Sequence, residues 1–164
     1  MLKKVHGMIR DIRIEDYEAV DRLLLQLHKV HVNGRPELFL DIERFMSRDS
    51  FENLITDDEM IAILAEKNGT IVGCCFASIL NHSGMVRMRT ACIDQLVVDE
   101  MYRRKGIGRT LFQSVVKRAK KMGAKRVDLT VWGHNQPAIS AYESYGMTPQ
   151  QYVFEKEIKS FFNI

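Results

Sequence analysis

The spacing of apolar positions changes period several times along the chain, and each change marks an element. Met8–Ile12 is a short strand-type run. From Ile14 to Val32, Val20, Leu23, Leu24, Leu27 and Val30 recur at helical spacing, and Glu15, Asp16 and Glu18 sit at the positive end of the helix dipole. Asn33-Gly34-Arg35-Pro36 breaks that helix. Leu38, Phe39, Ile42, Phe45 and Met46 then predict a second helix from Glu37 to about Ser47. Met60–Glu66 and Ile71–Leu80 read as strands, joined by Lys67-Asn68-Gly69-Thr70, whose Asn-Gly pair suits the two positive φ angles of a type I′ turn. Asn81–Gly84 reads as a loop and Met88–Val98 as a long third strand. Asp94 and Gln95 interrupt its apolar run, so a bulge or a cleft-facing side chain is expected there.

A helix from Gly108 to Met122 follows, with Leu111, Phe112, Val115, Val116, Ala119 and Met122 inward and Gly123 as its cap. Arg126–Trp132 reads as a strand, Asn135–Tyr145 as a helix with Pro137 in its first turn and Gly146 as its cap, and Gln151–Ile158 as a last strand. The order β-αα-βββ-α-β-α-β predicts an α/β (α+β) fold in one domain, residues 1–164, with a mixed central sheet of roughly six to seven strands. The β-α-β unit from Val98 to Val131 is expected to be a right-handed parallel crossover.

Composition narrows the class. Of 164 residues, 46% are apolar and 27% charged, the balance of a soluble globular domain. No stretch approaches the ~18 apolar residues of a membrane span. Met1-Leu2-Lys3-Lys4-Val5-His6 has no apolar core behind it, so a cytoplasmic location is expected. Adjacent Cys74 and Cys75 point to opposite faces of a strand and make no ligand pair, so buried free thiols are expected. His28 and His31 could share a helix face, but no third ligand accompanies them, and no metal is expected.

The net charge of +3 is unevenly divided: residues 1–66 hold 9 Lys/Arg against 14 Asp/Glu (−5), and residues 67–164 hold 15 against 7 (+8). Within Arg103–Arg126 there are ten basic residues and no acid. An anionic ligand therefore suits the second half and a cationic partner the first; solvated helix faces within one domain are the plain alternative.

Those cations surround one turn. The strand ending at Val98 runs into Arg103-Arg104-Lys105-Gly106-Ile107-Gly108, and an amphipathic helix begins. Glycines between a strand end and a helix start allow close approach of a ligand to the backbone, and the first N–H groups of the helix attract phosphate. The Walker pattern is absent, and Leu111 stands where the third glycine of a dinucleotide fingerprint belongs. What remains, R-x-x-G-x-G, fits either an anion site or a tight basic turn without a ligand.

Here the chain resembles the GNAT superfamily of acyl-CoA-dependent N-acetyltransferases. Leu96-Val97-Val98-Asp99 leading into Arg103-x-x-Gly106-x-Gly108 matches the family's [RQ]-x-x-G-x-[GA] loop. Asn135-x-x-Ala138-x-x-x-Tyr142-Glu143-x-x-Gly146-Met147 matches its N-x-x-A-x-x-x-Y-E-x-x-G-F, with Met147 for the usual Phe. The element order, N-terminal helix pair included, fits the whole chain.

The resemblance implies a fold whose two central parallel strands splay apart, and acetyl-CoA as co-substrate. It implies that the backbone from Arg104 through Lys105, Gly106, Ile107, Gly108 and Arg109 to Thr110 cradles the pyrophosphate, with Arg103 opening the motif. Leu96, Val97 and Val98 would run beside the pantetheine arm. Asn135, in the motif with Ala138, would hydrogen-bond the arm from the other side. Tyr142 would meet the thioester sulfur. Tyr145, where the family usually has Leu, reads as packing. The reaction implied is direct attack of a primary amine on the thioester, with Asp94 as the best candidate base, against the plainer reading of a polar residue at a bulge. Thr130 stands where relatives acting on protein N-termini carry Glu, so neither that base nor that substrate class is supplied.

The expected partners are acetyl-CoA and a small-molecule or peptide amine, cationic if the acidic half matters. No membrane is expected, and a homodimer is left open. Two other readings compete: a non-catalytic acyl-CoA sensor, and a nucleic-acid-binding module using residues 103–126. The second is disfavoured, since no aromatic residues interleave the cations as stacking on single strands requires.

Overall fold

The computed structural model describes residues 8–82 and 88–158. Five strands form one sheet in the order β1-β2-β3-β4-β5: β1 Met8–Asp11, β2 Met60–Lys67, β3 Thr70–His82, β4 Met88–Val98 and β5 Arg126–Leu129. β1 to β4 pair antiparallel, and β5 joins β4 in parallel. Among the described residues, four α-helices, α1 Tyr17–Gly34, α2 Arg48–Thr56, α3 Ile107–Lys121 and α4 Gln136–Ser144, and two short 3-10 helices, Ile14–Asp16 and Glu100–Tyr102, complete the order.

The sheet is buried on both faces. α1 and α2 cover one through Val20, Leu23, Leu24 and Phe51, which pack on Leu64, Cys74, Phe76 and Val97. α3 covers the other through Leu111, Phe112, Val115 and Ala119, on Ile63, Val72, Cys75 and Ile93. Cys74 and Cys75 thus fall on opposite faces, as the pleat requires. Burial raises the Cys74 thiol to about 12. The β2–β3 hairpin turns through Asn68 and Gly69 at φ 50° and 77°, the predicted I′ geometry.

Several expectations are corrected. Residues 37–47 are not helical; the second helix is α2, capped by Ser47, whose side chain accepts from the Ser50 N–H. The reason is tertiary. The buried Asp21 carboxylate accepts from the backbone N–H groups of Phe45 (2.9 Å) and Met46 (3.4 Å), and the Tyr17 hydroxyl donates to Met46 O at 2.7 Å. Backbone groups held this way are withdrawn from a helical ladder, and 35–47 becomes a strap across α1.

Among the described residues the sheet has five strands rather than six to seven, and the final strand of the expected order is not formed. Residues 151–158 join no ladder, leaving Tyr152, Val153, Phe154 and Ile158 78–91% exposed. β5 stops at Leu129, short of Trp132. Asn81 and His82 belong to β3 rather than to a loop, and Ser83 and Gly84 lie outside the described residues.

Candidate functional site

The site grows from an interruption in β4. Phe76 pairs with Gln95 and Ala77 with Ile93, so Asp94 is the extra residue of a β-bulge, as its polarity foretold. β5 pairs with β4 only through Thr90–Ile93. Beyond the bulge the two strands part, and among the described residues the β5-facing backbone of Leu96–Val98 has no ladder partner. That splay is the cleft. Val97 is buried toward α1, whereas Leu96 and Val98 face the α3 side.

The strand end is pinned. Buried Asp99 accepts from Arg22 Nη1 (2.6 Å), Gln26 Nε2 (3.3 Å) and the Met101 N–H (3.0 Å). Burial works to raise this carboxyl, and the bonds from Arg22, Met101 and Gln26 outweigh it, leaving the group below its ordinary range. Arg22 thus ties α1 to the foot of the basic turn. A search for phosphate motifs does not find this pair; the signal available was Asp two residues before Met101, an Asx-turn spacing.

In the turn itself Arg104 adopts φ 62°, a left-handed conformation rare outside glycine, and Gly106 adopts φ 83°. A Cβ built on Gly106 meets nothing within 4 Å, so space lies open beside it. Thr110 N–H makes the first helical bond, to Gly106 O (3.1 Å), so the N–H groups of Ile107, Gly108 and Arg109 ahead of it lack helical acceptors. Ile107 is buried and anchors this end of α3 in the core.

The basic side chains are mostly occupied. Arg103 Nε donates to Val98 O, Lys105 Nζ to Met101 O, and Arg109 Nη2 to Ser144 O and Oγ. Backbone amides and the dipole therefore carry the anion-attracting character of the turn more than free side chains do.

Across the cleft, Asn135 caps α4, its Oδ1 accepting from the Ala138 N–H at 3.4 Å. Its side chain is thus already half committed. Tyr142 lies two turns further along α4. Burial pushes its phenol well above the usual tyrosine range, with the neighbouring Cys75 and Tyr145 adding to the effect. The Cys75 thiol is itself raised, by burial first and then by Cys74 and Asp94. The Asp94 carboxylate accepts from Ser78 N–H (2.9 Å) and from the Ser78 hydroxyl, which turns it toward β3.

Trp132, just beyond β5, has Phe39 of the strap at 5.2 Å between ring centres and the Arg35 guanidinium over it at 5.9 Å. Among the described residues no cluster of three or more His, Cys, Asp or Glu is placed to hold a metal ion, and no helix is long and apolar enough to cross a membrane. A shallow concavity bordered by Ile55, Met60 and Arg118 lies at the far end of α3 and shares no residue with the turn.

With this geometry in hand, comparison with known proteins is informative. The family model described as the acetyltransferase (GNAT) family matches residues 23–147. An N-acetyltransferase of Bacillus subtilis (strain 168), provisionally named for the alanine of ribosomal protein bS18, is 32% identical over 147 residues, 89% of this chain and 83% of that protein. A mutant of the BH1408 protein of Bacillus halodurans superposes with a TM-score of 0.89 at 26% identity, over 93% of this chain and 99% of that one. The aminoglycoside N-acetyltransferase AAC(6')-Iy, solved in complex with CoA, shares the fold with a TM-score of 0.72 at 15% identity, over 93% of this chain and 100% of that one.

Proposed function

Since the chain belongs to the acetyltransferase (GNAT) family, we propose that this enzyme moves an acetyl group from acetyl-CoA to a primary amine by direct attack within a ternary complex. The observation that carries the reading is the junction of splay and turn: a β4 edge without a ladder partner beyond Asp94 runs into a helix N-terminus with open space at Gly106.

Acetyl-CoA supplies an acyl thioester; an N–C bond forms as the C–S bond breaks. The amides of Ile107, Gly108 and Arg109 bind the pyrophosphate. The free backbone of Leu96–Val98 aligns the pantetheine arm, and the uncommitted Asn135 amide nitrogen faces it. The amine must lose a proton to attack. A lysine-like amine with pKa ~10.4 is only ~0.04% neutral at pH 7, and an α-amine near 7.8 is ~14% neutral. Asp94, exposed at the bulge and bonded by Ser78, is the base in this reading, accepting that proton directly or through water.

Tyr142 acts as a hydrogen-bond donor to the departing sulfur rather than as a proton donor. An ordinary phenol is already a weaker acid than a thiol by ~2 kcal/mol, and burial widens that gap. The net charge of −5 over residues 1–66 favours a cationic amine.

The test is free-thiol release from acetyl-CoA over a panel of polyamines, aminoglycoside-like compounds, lysine derivatives and peptides with free N-termini. Turnover is expected with a cationic small amine. CoA binding without turnover on any amine would make the chain a sensor, and salt-sensitive DNA binding without a CoA response would overturn the reading altogether.

A further inference from the structure

Two glycines of the turn are glycine for different reasons. Gly106 needs its positive φ and has open space around it. Gly108 has no such backbone demand. A Cβ at Gly108 would stand 3.0 Å from the Tyr145 hydroxyl oxygen and 3.5 Å from Val98 Cγ2. The Tyr145 hydroxyl therefore reaches across from the end of α4 into the corner where the last residue of β4 meets the first turn of α3. This is where the backbone donors of Gly108 and Arg109 are free.

The ring is held firmly in that pose. Phe112 packs against it at 5.1 Å between ring centres, and the Arg109 guanidinium lies over it at 4.9 Å while donating to Ser144 O at 3.0 Å. Among the described residues the hydroxyl hydrogen-bonds no partner; burial weakens its acidity and the charge of Arg109 strengthens it. An oriented, unused phenolic donor beside free amides and under a guanidinium is equipped to meet an anionic oxygen.

We propose that Tyr145, which the sequence reads as packing, is a cofactor-binding residue whose hydroxyl donates to the pyrophosphate of the CoA moiety beside the amides of Gly108 and Arg109. The proposal rests on the acetyl-CoA site described above and adds a side-chain donor to it. It also gives Gly108 a reason: a methyl group there would displace the phenol.

The experiment is calorimetric titration of CoA into the wild type, Tyr145→Phe, Gly108→Ala and the double variant, with phosphorus NMR of the bound CoA. A hydrogen bond to a charged group is worth roughly tenfold in affinity or more, so Tyr145→Phe is expected to raise the Kd by about that factor. Phe keeps the contacts with Phe112 and Arg109, so the apo melting temperature stays near that of the wild type. One diphosphate phosphorus resonance of bound CoA is expected to shift in Tyr145→Phe while the 3′-phosphate resonance does not. Gly108→Ala is expected to weaken binding in the wild-type background and to cost much less in the Tyr145→Phe background.

Wild-type affinity in Tyr145→Phe, or unchanged diphosphate resonances, would overturn the proposal and leave Tyr145 as packing. A wild type that binds no CoA would overturn the function itself, and this inference with it.

Discussion

Tyr142 carries the sharpest expectation at the level of single residues. Its phenol is half-buried, and that burial makes it a weaker acid than an ordinary tyrosine. If it donates a hydrogen bond as charge develops on the departing sulfur, Tyr142→Phe lowers kcat while the Kd for acetyl-CoA stays near wild type. The loss expected is ~10–1000-fold, and no alkaline limb of the pH–rate profile moves with the substitution. Steady-state kinetics decide it: a loss confined to KM for acetyl-CoA would make Tyr142 a binding contact. Asp94 was readable from the sequence because a polar pair inside an apolar strand has few explanations. Arg104 was not, since nothing in its side chain announces a left-handed backbone. Nor was the Tyr145 hydroxyl, whose place depends on where α4 ends over α3.

Among the elements, the strap at 35–47 departs furthest from its pattern. Its apolar residues do recur at helical spacing, but they are spent on three different neighbours. Phe39 packs on His31 and Trp132, while Phe45 and Met46 are held by Asp21. His31 sits under this strap with His134 at 5.8 Å between ring centres, and His28, Arg35 and Glu37 border the cluster. Burial first, then the charges of His134 and His28, hold the His31 pKa below its usual value. The sign follows. With the folded pKa below the unfolded ~6.5, the contribution of neutral His31 is fully present above pH ~6.5 and is lost as pH falls through the folded value. The strap is therefore expected to loosen below pH ~6.5. Trp132, the only tryptophan, reports on it. Its emission should change on acidification in the wild type and much less in His31→Gln; a flat response from pH 8 to 5 in the wild type would refute the expectation.

For the whole molecule, the sheet lies between α1/α2 and α3, and the cleft opens only where β4 and β5 diverge. A ligand bound across β4, α3 and α4 binds the folded chain and not the unfolded one, so it is expected to stabilise the entire fold. At acetyl-CoA a hundred times above its Kd the gain is ~2.7 kcal/mol. A thermal melt with millimolar acetyl-CoA checks this, and an unmoved transition would contradict the site. By itself the sequence determined the strands from Met8 to Leu129, three of the four helices, the I′ hairpin, the bulge and the basic turn. Each of these is set by a local rule: side-chain period, a glycine at positive φ, or a helix whose hydrogen bonds close within its own segment. Only the tertiary structure decided the strap, the length of the sheet and the use of residues 151–158. That segment alternates like a strand, yet among the described residues it is held by side chains alone, Gln150 on Arg126 at its start and Glu155 on Arg35. A strand exists only where another backbone offers its N–H and C=O groups in register, and that partner is not written in the segment itself.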